Sequence, residues 1–356
     1  MNRKVNFDFL KIICIFLIIF HHFFIHSNML VTIDAITFFN FSVSSIFASF
    51  GKVACLIFII ITGYFMIDKT IKPQKIFDLL FQLISYSLII WFILKIFNIV
   101  PLNLKDFIKS FLSLIYGNWF VLTYIQLYIF IPFINSYLKI TSKGEHFKLI
   151  ILLLICFFSI TTILPIELWK LSLFGCFITA YIIGAYFKLY PEKKCIKNIK
   201  LLILCITVLI ILVNISIIYI DLNRKTHLIY YIFNNLYSMN SIITILFASF
   251  IFILFEQLNF KNTRVISFVS KSSLGIYLLH DNYLIRNLIW CVFLPNNIYI
   301  SQPYFIIFML IKVLLIFIVC LIIDKLLMLV INKLKLKTFK FLNALIRRCY
   351  CKWKNE

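Results

Sequence analysis

The chain has 356 residues, of which 63% are hydrophobic and 41 are Phe, and its mean hydropathy is +1.03. Soluble globular domains carry an apolar share of about 45–50%, so this composition excludes one; the apolar runs are continuous rather than alternating, which also argues against a lipid-facing β-barrel. The net charge of +22 does not indicate nucleic acid, because the basic residues fall between hydrophobic runs instead of forming one patch.

The expected fold class is all-α: a polytopic integral membrane protein of about ten transmembrane helices. The apolar runs place them near 6–26, 46–66, 76–98, 118–138, 147–164, 171–189, 199–220, 237–257, 273–294 and 304–332. Most of the 35 basic residues then lie on the side of the N-terminus, which puts both termini in the cytoplasm. Residues 1–335 read as one transmembrane domain. Residues 336–356 read as a basic cytoplasmic tail whose mixed basic and apolar residues suit an anionic lipid surface. The first apolar run is too long for a cleaved leader and reads as a span. The ten cysteines show no metal-ligand or redox spacing, and most act as small hydrophobes inside apolar runs.

The first span carries more ionisable residues than a lipid-facing helix tolerates. Asp8 and Lys11 lie near one end, and His21, His22 and His26 near the other. A charge within a span costs at least ~2.5–3.5 kcal/mol, so such residues are functional candidates. Lys11 and His22 are separated by close to three helical turns; they share one face about 16 Å apart along the axis, within ~20° of alignment, whereas His21 falls ~80° away. Near pH 7 a neutral imidazole is the usual general base. Local readings compete: Asp8 and Lys11 as an ion pair that orients the helix, and the histidines as interface residues bonded to carbonyls.

The second span ends in IIITGY, where Thr62 and Gly63 permit close helix packing. Trp119 opens the fourth span as a belt aromatic would, and Tyr124, Gln126, Tyr128 and Asn135 make this helix polar, with Pro132 expected to kink it. The ninth span holds His280, Asp281 and Asn282, then Arg286 four residues on. That set must face a polar interior or staple helices together, with Asn282 and Arg286 placed to interact.

Taken in this order, the four stretches resemble the membrane-bound acyltransferase 3 family, especially its Gram-positive polysaccharide-modifying members. The family's opening D-x-L-R matches Asp8, Leu10 and Lys11, and its histidine eleven residues later falls at His22. Its F-x-x-S-G-[YF] appears as Ile59 to Tyr64 with Thr62 in the serine position. Its W-F, tyrosine and proline appear as Trp119, Phe120, Tyr128 and Pro132. Its late G-[IV]-Y-L-[IL]-H is Gly275 to His280, followed by Asp281 and Asn282.

The resemblance implies an O-acyltransferase of the bacterial plasma membrane. It would move an acyl group, often acetyl, from cytoplasmic acyl-CoA to a hydroxyl of a cell-surface or lipid-linked glycan. His22 and His280 are its expected catalytic residues. Asp8, Lys11 and Thr62 are expected to bind acetyl-CoA; His26, Trp119, Tyr124, Asp281, Asn282 and Arg286 are expected to bind substrate. Lysine in place of the family arginine keeps the charge but loses the bidentate fork. The expected partners are acyl-CoA, the glycan acceptor, membrane lipids and a second copy of the chain, with no metal and no nucleic acid. The rival reading is a transporter of polysaccharide or lipid-linked sugar, which shares spans with polar interiors.

Overall fold

The computed structural model describes residues 5–27, 29, 34, 36–159, 162, 173–191, 195–224, 228–261 and 264–355, with side chains to residue 335. All regular structure among them is helical. The chain forms α1 (Val5–Ile25), α2 (Phe38–Ala48), α3 (Gly51–Met66), α4 (Pro73–Ile96), α5 (Leu104–Phe111), α6 (Ser113–Tyr116), α7 (Trp119–Ile140) and α8 (Lys143–Leu154). It continues as α9 (Leu173–Leu189), α10 (Ile196–Arg224), α11 (Leu228–Asn234), α12 (Ile242–Gln257), α13 (Arg264–Ser270), α14 (Ser273–His280), α15 (Asn296–Tyr299) and α16 (Phe305–Asn355).

Among the described residues, six stretches are long and apolar enough to cross a membrane: Val5–Ile25, Phe38–Met66, Pro73–Ile96, Trp119–Ile140, Ile196–Arg224 and Phe305–Lys335. Helices α9 and α12 are apolar but shorter. Large apolar side chains such as Leu204, Leu212, Phe133, Ile307 and Leu326 point outward, which suits a hydrocarbon surround and not water. The predicted 147–164 span begins as α8 and a π turn over Ile155–Ser159, then runs beyond the described residues. The side chains of the predicted lipid-binding tail also lie outside them, although its backbone continues α16 to Asn355.

Helix α1 is the centre of the bundle. It packs on α2, α3, α12, α13, α14 and α16 and buries Phe7, Leu10, Cys14, Ile15, Ile19, Phe23 and Phe24. By contrast α10, whose span is more apolar still, is mostly exposed at the periphery. The tightest crossing joins α3 to α9. There a Cβ on Gly63 would overlap the Tyr181 carbonyl, and one on Gly184 would overlap the Ile60 carbonyl. This reciprocal approach is the small-residue packing that lets two backbones touch in an apolar medium. It is also why the motif around Thr62 contains a glycine.

The predicted ninth span is not one helix. α14 stops at His280, the chain turns through Asp281 to Tyr283, and a π turn follows at Leu288–Val292. Such a break is tolerated at membrane depth only where the freed polar groups find protein partners. Here they do. Asn282 Oδ1 accepts from the Leu284 amide at 3.0 Å, and its Nδ2 donates to Ser87 on α4 at 3.2 Å. The side chains of Asn282 and Arg286 therefore do not pair as their spacing suggests. α14 is held from behind by α16: the Tyr86 hydroxyl bonds Asp324 at 2.6 Å, and the Asp324 carboxylate occupies the space a Cβ on Gly275 would need.

Two polar residues of α7, Asn135 and Tyr128, bond to backbone around the end of α3. Asn135 donates to the Met66 carbonyl at 2.8 Å and accepts from Tyr181 at 2.7 Å, and the Tyr128 hydroxyl accepts the Lys72 amide at 2.9 Å. Together they clasp the turn after α3. The helix continues through Pro132, whose ring faces outward.

Candidate active site

Two features share the stripe of α1 that carries Lys11 and His22. The first is a cavity of about 430 Å³ lined by α1, α3, α4, α7 and α14. Lys11, Ile15 and Ile18 contribute its α1 wall at the helical spacing i, i+4, i+7. Lys11, Lys69 and Lys75 border it at one end. Its remaining wall is largely apolar, from Phe58, Ile59 and Phe120 to Tyr277, with Thr62 and Tyr124 as polar points. The Thr62 hydroxyl also bonds back to the Phe58 carbonyl at 2.9 Å. Asp8 does not border the cavity. It is buried, 3.6 Å from Lys11 Nζ, with Ser267 Oγ at 3.4 Å from its other oxygen. The local ion pair is thus present, and its effect is to hold Lys11 on the cavity side.

The second feature is a buried cluster one turn beyond Ile18. His22 Nδ1 lies 3.0 Å from His280 Nε2, and His280 Nδ1 lies 2.6 Å from the Ile276 carbonyl. Asp281 Oδ1 is 3.7 Å from His22 Nδ1 and 3.7 Å from His26 Nε2, and is paired at 2.9 Å with Arg286 Nη2. The same guanidinium donates to the Asp281 carbonyl at 3.1 Å. The cluster therefore draws on α1, the residue after it and the break that follows α14. Tyr277 links the two features. Its ring borders the cavity, lies 6.2 Å from that of His280, and its hydroxyl faces Asp281.

The three histidines of the first stretch have separate fates. His22 joins the cluster. His21 turns away and bonds the Ala48 carbonyl at the end of α2 at 2.8 Å. His26 follows the helix and is half-buried, its ring 5.0 Å from that of His22. Of the three, His22 is the one within hydrogen-bond distance of His280.

Lys52 escaped the sequence reading. It sits in the first turn of α3 with its ammonium 4.9 Å from the centre of the Trp119 ring, a cation–π contact that holds it in place. Its charge acts on His22, His26 and Asp281. Nothing in GKVACLIF marks this lysine as different from a flanking topology residue; only the folding of α3 against α1 and α7 brings it to the cluster.

His22, His26 and Asp281 also have donor atoms within 4.8 Å of one another, a grouping able to hold a metal ion. Two features oppose that use. Arg286 already supplies positive charge at the Asp281 oxygen, and His22 Nδ1 is engaged by His280. A divalent cation held through His22 Nδ1 and Asp281 Oδ1 would compete with both contacts.

Chemically, the arrangement offers an imidazole base beside a paired carboxylate, two nearby cations, and a channel reaching a basic mouth. No curated protein and no solved structure matches the chain. A family model described as an acyltransferase domain matches residues 4–325, nearly the whole chain and every residue of the candidate site. The protein belongs to the acyltransferase 3 family and is a multi-pass, all-helical membrane acyltransferase.

Proposed function

We propose that the protein transfers an acyl group, most simply acetyl, from cytoplasmic acyl-CoA to a hydroxyl of an envelope or lipid-linked glycan at a bacterial plasma membrane. The observation that carries this reading is the single cavity joining Lys11, Lys69 and Lys75 to Tyr277 beside the histidine cluster. Ammonium groups suit the phosphates of the donor nucleotide, as point charges in place of a bidentate arginine. The apolar throat suits the extended arm that carries the thioester. The ~16 Å from Lys11 to His22 is then the span the arm must cover.

At the far end His22 takes the proton of the acceptor hydroxyl as that oxygen attacks the thioester carbonyl. The C–S bond breaks, and the departing CoA thiolate takes the same proton from His22. Asp281 stabilises the transient imidazolium, and Lys52 lies where it can favour the oxyanion. His26, Trp119 and Arg286 border the acceptor. Asn282 holds the broken helix to α4 and acts on substrate only through that geometry.

The experiment is transfer of radiolabel. Membrane vesicles containing the full chain are given labelled acetyl-CoA, and base-labile label in the glycan fraction is measured. Label should enter with the wild-type chain and not with His22→Ala. A chain that moves unmodified glycan across the vesicle membrane, with acetyl-CoA left intact, would support the transporter instead.

A further inference from the structure

The hydrogen bonds of the cluster determine which nitrogen of His22 is the base, and they separate the roles of the two histidines. The Ile276 carbonyl has lone pairs only, so His280 Nδ1 must donate to it across 2.6 Å. A neutral His280 then keeps a bare lone pair on Nε2, and the atom 3.0 Å away, His22 Nδ1, must carry the hydrogen that fills the contact. The remaining nitrogen, His22 Nε2, is left without a hydrogen. It makes no hydrogen bond among the described residues. A second proton on His280 would reverse the order, but His280 is fully buried and already neighbours Arg286. Asp281 is itself paired with that arginine. Another cation there would lack a partner of its own.

We propose that His280 is a positioning residue: it fixes His22 in the Nδ1–H tautomer, so that Nε2 is the atom that accepts the acceptor's proton. The carbonyl of Ile276 and the imidazole of His280 together do what a carboxylate does behind the histidine of a hydrolase triad. They orient the base and define its tautomer without a fixed negative charge. Left to itself, neutral imidazole prefers the hydrogen on Nε2, so the assignment differs from what an unconstrained His22 would show. The break after α14 gains a purpose from this. It ends the helix at His280, where a helical carbonyl four residues back is within reach of the ring. The use made of Nε2 rests on the acyl-transfer reading; the tautomer itself does not.

The test is nitrogen NMR of the full-length chain labelled with ¹⁵N-histidine in lipid nanodiscs at neutral pH, with the His22 signals assigned by their loss in His22→Gln. The wild type should show a protonated Nδ1 coupled across the hydrogen bond and a bare, pyridine-like Nε2. In His280→Leu, His22 should revert to the Nε2–H form, with kcat for CoA release from acetyl-CoA falling about 100-fold and KM unchanged. His280→Gln, whose amide oxygen can accept from Nδ1, should keep the tautomer and restore much of kcat. A wild-type His22 with its hydrogen on Nε2 overturns the proposal, and this spectrum decides even where the leucine variant does not fold. Wild-type kcat and an unchanged tautomer in folded His280→Leu overturn it equally. If His22 shows the Nδ1–H form but no acetyl-CoA is consumed, the tautomer assignment stands and the acyl-transfer reading fails.

Discussion

His22 and Phe23 are neighbours on α1 and border two different polar clusters. Beside Phe23, the ammonium of Lys312 on α16 is buried 5.9 Å from the ring. It donates to the Phe293 carbonyl at 3.2 Å, the Leu294 carbonyl at 2.8 Å and Asn296 Oδ1 at 2.8 Å, with Trp290 and Phe308 rings also in range. An ammonium has three hydrogens, and all three are used. His22 instead spends one ring nitrogen on His280 and keeps the other, in a cluster that Tyr277 connects to the cavity bordered by Lys11. Burial and ionisability are common to both sites. What distinguishes a staple from a reaction centre is the bonding capacity left over and whether it meets a cavity.

The sharpest way to break this comparison is to exchange the expected losses. His22→Ala should lower acyl transfer by about 10²–10⁴-fold, the usual worth of a positioned general base, with an unchanged unfolding midpoint in detergent. Lys312→Met should do the reverse. It leaves two carbonyls and an amide oxygen without a donor, a loss of about 1–3 kcal/mol seen as a lowered unfolding midpoint, while turnover per folded molecule stays within a few-fold of wild type. If Lys312→Met abolished transfer in folded protein, the distinction between the two clusters would be lost.

Within the histidine stretch, activity should rank His22 lowest, His26 intermediate and His21 least affected after single Gln replacement. His21 spends its hydrogen bond on the Ala48 carbonyl and not on the cluster, so its replacement should register mainly in stability. An inactive His21 variant alongside an active His22 variant would mean that α1 is rotated relative to its neighbours. The smallest effect concerns the mouth. Lys75→Ala should raise the KM for acetyl-CoA about threefold without changing kcat, as expected for one exposed charge among several. Lys11→Arg should lower that KM by gaining a bidentate contact.

Much of the fold was legible because membrane helices announce themselves by composition, and the α1 stripe because 3.6 residues per turn fixes which side chains align. The rest depends on contacts between distant segments. The apolar residues on either side of His280-Asp281-Asn282 in LGIYLLHDNYLIRNLIW hide the break, since one bond that permits it runs from Asn282 to Ser87 on the distant α4. Gly275 reads as a motif residue, yet its smallness answers to Asp324 on α16, almost fifty positions away. Lys52 looks like any flanking lysine until α3 meets Trp119. Conversely, Tyr128 and Asn135 make α7 read as unusually polar, and both bond to backbone around the turn after α3.

At the centre of this reading, His22 is the base that activates the acceptor for attack on an acyl group held in the cavity that begins at Lys11. The most direct measurement is release of free CoA thiol from acetyl-CoA by the purified chain in nanodiscs with extracted glycan as acceptor, wild type against His22→Ala, each shown to be folded by its unfolding midpoint. The wild type should release thiol only with acceptor present, and the variant about 10²-fold less or lower still. Equal release by both folded proteins would contradict that role of His22.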